Sequence, residues 1–243
     1  MAKKVYVGVN NIAKNVSKMY VGVNNVAKKV TKGYVGVNGV AKQFYQGDSP
    51  HIRINYIQQS SGVGAYIDTG ISGTWTNTMR FVIRFSIDEI ISTGEQSLIG
   101  DKVPSANDGA TIYTSVNRAH VNTWCGSGTA YTIAQNITLE QDHTLDVTFT
   151  NSIGRSGSFD GTPFSSNTSN LYCSNSVNFA IFSERANTLS AAWRGKVYSC
   201  QIYKDGVLVR DFIPVLKNGV AGLYDNVSGS YFFSAGTQNF RYG

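Results

Sequence analysis

Hydrolysis of a glycosidic bond needs two carboxyl groups facing each other about 5 to 10 Å apart. The residues best spaced for that in this 243-residue sequence are Glu140, Asp142 and Asp146, which alternation along a strand would bring to one side. Gln141 and His143 are interleaved with them and Leu145 follows, so the segment reads as a polar turn entering a strand. No charged neighbour is placed to separate two acids into a proton donor and a base. The chain has only four glutamates, which leaves few other pairs, and no catalytic residue is assigned.

His51, His120 and His143 are isolated from one another, and Cys125, Cys173 and Cys200 form no CxxC pair, so neither a zinc site nor a redox motif is expected. The sequence calls for no cofactor. Gly154-Arg155-Ser156-Gly157 and Gly126-Ser127-Gly128 lack the strand-to-helix setting of a phosphate loop and read as turns. Binding chemistry is better represented. Trp75, within Ser72-Gly73-Thr74-Trp75-Thr76-Asn77, and Trp124, within Asn122-Thr123-Trp124-Cys125-Gly126, are large rings among hydrogen-bonding neighbours. An aromatic platform edged by a few polar groups suits a stacked sugar. Trp75, Asn122 and Trp124 are therefore the candidate ligand residues, against the alternative that tryptophans of a β-sandwich serve as core or strand-end packing.

These residues would be held by strands. Arg80 to Phe85 places Phe81, Ile83 and Phe85 on one face, and Thr144 to Phe149 does the same with Leu145, Val147 and Phe149. Asp160-Gly161 and Asp205-Gly206 lie between alternating runs as hairpin turns. No long stretch has a helical apolar period, so two stacked antiparallel sheets are the way to bury these faces.

Ahead of them stands an internal repeat of period fourteen. Tyr6-Val7-Gly8-Val9-Asn10-Asn11 returns as Tyr20-Val21-Gly22-Val23-Asn24-Asn25 and again as Tyr34-Val35-Gly36-Val37-Asn38-Gly39. Each unit reads as a hairpin, in the first case Val5 to Val9 returning through Ile12 to Val16, and the three together as a small meander. The repeated mid-strand glycine marks a bulge or the close approach of another backbone. Residues 1–46 form this segment, 47–51 (Gly-Asp-Ser-Pro-His) a linker and 52–243 the sandwich. So little apolar volume in the repeats needs completing by other copies or by a docking surface, so Tyr6, Gly8, Asn10, Tyr20, Gly22, Asn24, Tyr34, Gly36 and Asn38 are the expected attachment or oligomerisation positions.

The net charge of +6 is local. Residues 1–46 hold eight lysines and no acid, while the remainder has thirteen basic against fifteen acidic residues. Lysines that recur with the repeat, without arginine or stacking aromatics, discourage strand-edge aggregation and do not make a nucleic-acid groove. Three scattered cysteines fit folding in a reducing cytoplasm. The first residues lack the apolar core of a secretion signal, and the apolar runs are too short to span a bilayer, so no membrane insertion is expected.

Four blocks in order carry a resemblance: Ala65-Tyr66-Ile67-Asp68-Thr69-Gly70, Val197 to Tyr203, Leu208-Val209-Arg210-Asp211-Phe212-Ile213-Pro214, and Gly222-Leu223-Tyr224-Asp225 followed by Tyr231-Phe232-Phe233. Over about residues 55 to 243 the sequence resembles the laminin-G-like or concanavalin-A-like jelly-roll domains of phage and gut-bacterial surface proteins. The Tyr-Val-Gly-Val-Asn repeat resembles a leader of structural proteins in phages that infect Gram-positive bacteria. The resemblance implies an all-β jelly roll behind hairpin repeats, with a tendency to bind glycans. It implies a virion component, made in the host cytoplasm and displayed on the virion surface: a head fibre or capsid decoration, or a tail-fibre or baseplate part. The expected partners are itself, as a homotrimer, other capsid or tail proteins, and a host-surface glycan, with no nucleic acid. A polysaccharide-degrading enzyme of the same fold and a purely architectural capsid decoration are the alternatives. Related domains often bind calcium through loop carboxylates, and Asp101 and Asp108 flank a polar loop of suitable composition, but no acidic repeat fixes a coordination shell. Within the blocks, Arg210 and Asp211 are expected to pair with Asp225 or with backbone at a sheet edge, and Pro214 to end its strand.

Overall fold

The computed structural model describes the strand backbones within residues 6–46, and residues 51–59, 64–103, 108–126, 130–167, 173–174, 176–185 and 191–243 in full. The chain divides into two compact units, Met1–Ile52 and Arg53–Gly243, with the short strand β7 (Ile52–Arg53) at the division.

Each fourteen-residue repeat folds as its turn chemistry dictates. β1 (Tyr6–Val9) pairs with β2 (Ile12–Asn15), β3 (Met19–Val23) with β4 (Val26–Val30), and β5 (Lys32–Val37) with β6 (Val40–Gln46), all antiparallel. Val9 opposite Ile12, Val23 opposite Val26 and Val37 opposite Val40 leave two residues for each turn. The hairpins are three separate two-stranded sheets among the described residues, where a continuous meander is the sequence expectation. The expected bulge at the repeated glycine is also absent there. Gly8 faces Ala13, Gly22 faces Ala27 and Gly36 faces Ala41 in unbroken register, and the one irregularity falls between Gly33 and Tyr34. Val5, Val16, Asn10, Asn24 and Asn38 lie outside the described residues.

The second unit is a two-layer antiparallel sandwich. Its larger sheet runs β17 (Thr162–Asn167), β16 (Gly154–Phe159), β15 (His143–Thr150), β10 (Thr78–Phe85), β19 (Lys196–Lys204), β20 (Val207–Lys217), β21 (Val220–Asp225) and β22 (Ser230–Phe232). The short strand β8 (Ile57–Gln58) joins β19 to β23 (Arg241–Tyr242). The smaller sheet runs β14 (Tyr131–Ala134), β13 (Val121–Cys125), β12 (Ala110–Thr114), β11 (Gln96–Gly100), β18 (Asn178–Ile181) and β9 (Ile67–Ser72). Sequence neighbours on opposite layers and non-sequential strand order make this a jelly roll, all-β and of the concanavalin-A-like kind.

Period-two burial drives the layering. Along β10 and β15, Phe81, Ile83, Phe85, Leu145, Val147 and Phe149 are buried while their neighbours stay partly open. Phe81 meets Phe179 of the facing sheet at 5.0 Å, edge to face, and Phe85 meets Trp193 at 5.5 Å. Each such ring removed from water stabilises the fold by about 1.5–3 kcal/mol. Trp193 also donates its indole N–H to the Ser86 carbonyl at 2.9 Å. Gly195 permits that approach, since a Cβ there would stand 2.0 Å from the same oxygen. The tight turns Asp160-Gly161, Asp205-Gly206 and Asn218-Gly219 have positive φ at both positions, the hairpin geometry that follows the sheet's twist.

At the sheet's far end the Arg210, Asp211 and Asp225 block ties the layers together. Arg210 donates to the Thr69 carbonyl of β9 at 2.9 Å and lies 3.6 Å from Asp225, so it makes both of the contacts expected for it. Asp225 is fully buried and accepts from the amides of Asp211, Val227 and Ser228 and from the Ser228 hydroxyl. Pro214 does not end its strand: β20 continues to Lys217. The pairing of β20 with β19 is over at Phe212, so the nitrogen without hydrogen lies two residues beyond that ladder, where the Pro214 carbonyl still accepts from the Ile54 amide at 3.2 Å. All three cysteines are free and buried, and burial pushes the Cys125 and Cys200 thiols up. Among the described residues no helix is long and apolar enough to cross a membrane.

Burial alone would raise the Asp225 carboxyl, but the amides and hydroxyl aimed at it hold it below the usual carboxylate range. Its folded value is thus below its unfolded one, so its contribution is present at neutral pH and lost as pH falls through the acid range. Asp225→Ala should cost about 3 kcal/mol at neutral pH, because it strands buried donors and Arg210. Urea unfolding should show the gap between variant and parent closing towards about pH 2; a gap that stays constant with pH would contradict this role.

Candidate functional site

The edge strands of the two sheets, β14 and β17, meet at one side of the sandwich. Tyr131 of β14 donates its hydroxyl to the Ser165 carbonyl of β17 at 3.2 Å, and its ring lies 6.3 Å from that of Phe164. Beneath them Arg155 of β16 is buried and donates to both the carbonyl and the hydroxyl of Thr123 on β13, each at 2.9 Å. Burial lowers its guanidinium pKa. These bonds clip one layer to the other without sealing the gap between the edges.

What remains is a groove of about 490 Å³. Its apolar lining includes Ile133, Phe159, Pro163 and Phe164, and its polar lining includes Gln135, Asn136, Gln141 and Thr162. Phe159 and Phe164 are half-buried, with ring area still open to the groove. The wall from Gln135 to Gln141 is held from behind. Ile137 donates to the Ala119 carbonyl at 2.9 Å and Glu140 to the Ile87 carbonyl at 2.7 Å. Asn136 and Glu140 take the left-handed conformation, with φ of 54° and 60°.

His143 is buried beside this wall. Its Nδ1 stands 2.7 Å from Asp160 Oδ2 and its Nε2 2.8 Å from the Thr138 carbonyl, while its ring stacks on Phe159 at 5.2 Å. Asp160 also accepts from the Thr144 amide at 2.7 Å. Both ring nitrogens are therefore engaged, and the pair serves to fix the turn and the floor. By contrast, the side chains of Gln135, Asn136 and Gln141 make no hydrogen bond among the described residues. Three primary amides and the Thr162 hydroxyl beside two open phenyl rings can hydrogen-bond the hydroxyls of a flat, neutral molecule that stacks on the rings.

Two of the three carboxylates singled out as glycosidase candidates are otherwise occupied. Asp146 takes both Nε and Nη2 of Arg80, at 2.8 and 2.6 Å. Asp142 is ion-paired with Arg84. Hydrogen bonding to Tyr198, then to Arg84, outweighs partial burial and holds Asp142 below the usual carboxylate range. Such an acid is a poor proton donor near neutrality. Glu140 is exposed at its turn. Asp101, fully buried, accepts from the Ala110 amide at 2.5 Å, and Asp108 accepts from the Ser174 amide and hydroxyl. Among the described residues no three His, Cys, Asp or Glu side chains are grouped to hold a metal ion.

Trp75, Asn122 and Trp124 are not brought together around a described cavity. Trp75 is 5% exposed and belongs to the core. Asn122 is buried, donating to Ser115 Oγ at 2.8 Å and accepting from Thr132 Oγ1 at 2.7 Å. Trp124 is half-buried, with Lys102 Nζ 5.2 Å from its ring centre. The groove's own residues carried a signal: Phe159 and Phe164 bracket the Asp160-Gly161 turn, and Gln135, Asn136 and Gln141 crowd one loop.

No protein-family model matches the sequence, and no curated protein matches it. Solved structures do match. A protein of Bacteroides ovatus ATCC 8483 described as a carbohydrate-binding protein is similar at a TM-score of 0.57 with 11% identity, over 90% of this chain. The chain spans 66% of that protein's length. The CBM40 module of the Ruminococcus gnavus IT-sialidase, bound to α2,3-sialyllactose, gives 0.47 and 15% identity over 63% of this chain and 91% of the module. Domains LG4-5 of the mouse laminin α1 chain give 0.45 and 11% identity over 63% of this chain and 42% of theirs. The first of these likenesses agrees with the sandwich fold described above.

If the amides serve a ligand and the His143–Asp160 pair serves the scaffold, their removal should differ. Asp160→Ala should destabilise by about 1–3 kcal/mol, having left His143 and the Thr144 amide without their acceptor. Gln141→Ala should stay within about 0.5 kcal/mol of the parent. Urea unfolding of both variants checks this, and equal losses would assign Gln141 a structural role.

Proposed function

We propose that this chain is a non-enzymatic glycan-binding protein, and that the Phe159–Phe164 groove is where the saccharide docks. The observation that carries the reading is the row of uncommitted amides, Gln135, Asn136 and Gln141, beside open aromatic rings on a braced scaffold. Sugars present an apolar face and a rim of hydroxyls, and this pattern answers both. The likeness to a protein described as carbohydrate-binding points the same way. The absence of catalysis is supported by Asp142 and Asp146 being locked to Arg84 and Arg80.

The sequence resemblance of the repeat supports a place in a bacteriophage particle, as a head fibre or capsid decoration or as a tail-fibre or baseplate component on the virion surface. In this reading the hairpins of residues 6–46, each a two-stranded sheet with no further strand beside it among the described residues, associate with other copies into a trimer or dock on another virion protein. Many copies on one particle convert weak single-site binding into firm adhesion to the host surface.

A glycan array probed with the whole chain should retain a subset of oligosaccharides. Phe164→Ala should lower that binding by about tenfold or more, with folding intact, and no reducing sugar should be released. Retention that persists in Phe164→Ala, or release of sugar, would remove the groove or the non-enzymatic reading. Mass measurement should find the whole chain in a defined oligomer and the chain without residues 1–46 as a monomer. Two monomers would contradict assembly through the repeat. Purified phage particles should contain the protein.

A further inference from the structure

One residue beyond the groove a second concavity opens. Gln141 and His143 line the groove, whereas Asp142 between them lines a cleft of about 650 Å³ with Arg53, Asn55, Tyr56, Arg84 and Tyr198. The two sites therefore share a wall one chain wide where the loop enters β15.

The charges in and beside the cleft are unequally committed. Arg84 is ion-paired with Asp142, and its guanidinium carbon lies 5.0 Å from the Tyr198 ring centre. Lys196, 5.3 Å from the Tyr56 ring centre, is 3.6 Å from Asp88. Arg53 is exposed, and among the described residues its guanidinium has neither an ion-pair nor a hydrogen-bond partner. The Asn55 side chain is equally uncommitted. Its loop is held by main chain, because the Gly243 carbonyl oxygen accepts from the Asn55 and Tyr56 amides at 2.5 and 3.2 Å. Tyr56 and Tyr198 meet edge to face at 5.9 Å, which firms the far wall. Burial, and then Asp142, push the Tyr198 hydroxyl up to about 12, so it stays a donor throughout the neutral range.

A guanidinium with five planar donors and no carboxylate of its own is matched by two oxygens of an external anion. We infer that this cleft is an anion subsite, in which Arg53, helped by Asn55, takes the carboxylate or phosphate of an acidic saccharide whose neutral unit lies in the adjoining groove. The identity of the molecule as a saccharide rests on the glycan-binding reading above; the anion preference rests on Arg53 and its cleft.

The whole chain, labelled with nitrogen-15, is titrated with glucuronate, with glucuronic acid methyl ester and with inorganic phosphate. The Arg53 Nε–H and Asn55 amide signals report the cleft, and the Gln135 and Gln141 amides report the groove. Glucuronate or phosphate should move the cleft signals and the neutral ester should not. Arg53→Gln should weaken the anion response by about tenfold or more while leaving neutral oligosaccharide shifts in the groove unchanged. A response to phosphate alone assigns the cleft to a phosphate-bearing polymer, and a response to glucuronate alone to a uronic acid. Silence of Arg53 towards both anions, or an equal response to the ester, overturns the inference. Failure of the glycan reading is separate: the groove amides would ignore every neutral oligosaccharide while Arg53 still answered the anion.

Discussion

None of these strands persists unless two alternating apolar faces are covered at once, and everything else in the second unit follows from how that is done. Phe81, Ile83 and Phe85 on one sheet need Phe179 and its neighbours on the other. Two twisted layers packed this way meet well in the middle and diverge at their rims. At the β14–β17 rim, Tyr131 and Arg155 hold the layers together while the rings of Phe159 and Phe164 stay partly open. The groove is thus a consequence of sandwich packing, and its rigidity is the rigidity of the core behind it.

Polar groups divide into those used by the fold and those left over. Asp225 and Asp101, both buried, and Asp160 and Asp146, partly open to solvent, each accept hydrogen bonds that fix a turn or a sheet contact. Burying such groups is unfavourable unless they are hydrogen-bonded, so full satisfaction is expected of structural residues. The side chains of Gln135, Asn136, Gln141, Asn55 and Arg53 stand apart, having no partner among the described residues and lining two adjoining concavities. That contrast separates binding chemistry from architecture more sharply than residue type does.

Much of the architecture was legible in the sequence, because strand alternation and Asp-Gly turns are local signals. The faces of β10 and β15, the hairpins at Asp160 and Asp205, and the pairing of Arg210 with Asp225 were all readable in that way. The candidate site was not. Trp75 and Trp124 drew attention through polar neighbours in sequence, yet in the fold Trp75 is core and Trp124 lies against Lys102. The groove depends on β14 lying beside β17, and the cleft on Tyr56 lying beside Tyr198, adjacencies across many residues that no local pattern encodes. The continuation of β20 through Pro214 has a similar origin, since it depends on where pairing with β19 stops.

In the proposed binding mode a saccharide lies between the two sheet edges, against Phe159, Phe164 and the amides of the 135–141 loop. A crystal structure of the chain soaked with an oligosaccharide it retains tests this directly. The account predicts a sugar ring stacked over Phe159 or Phe164, with hydroxyls within hydrogen-bonding distance of Gln135, Asn136 or Gln141. A sugar bound instead against Trp124, with the groove holding only water, would contradict it.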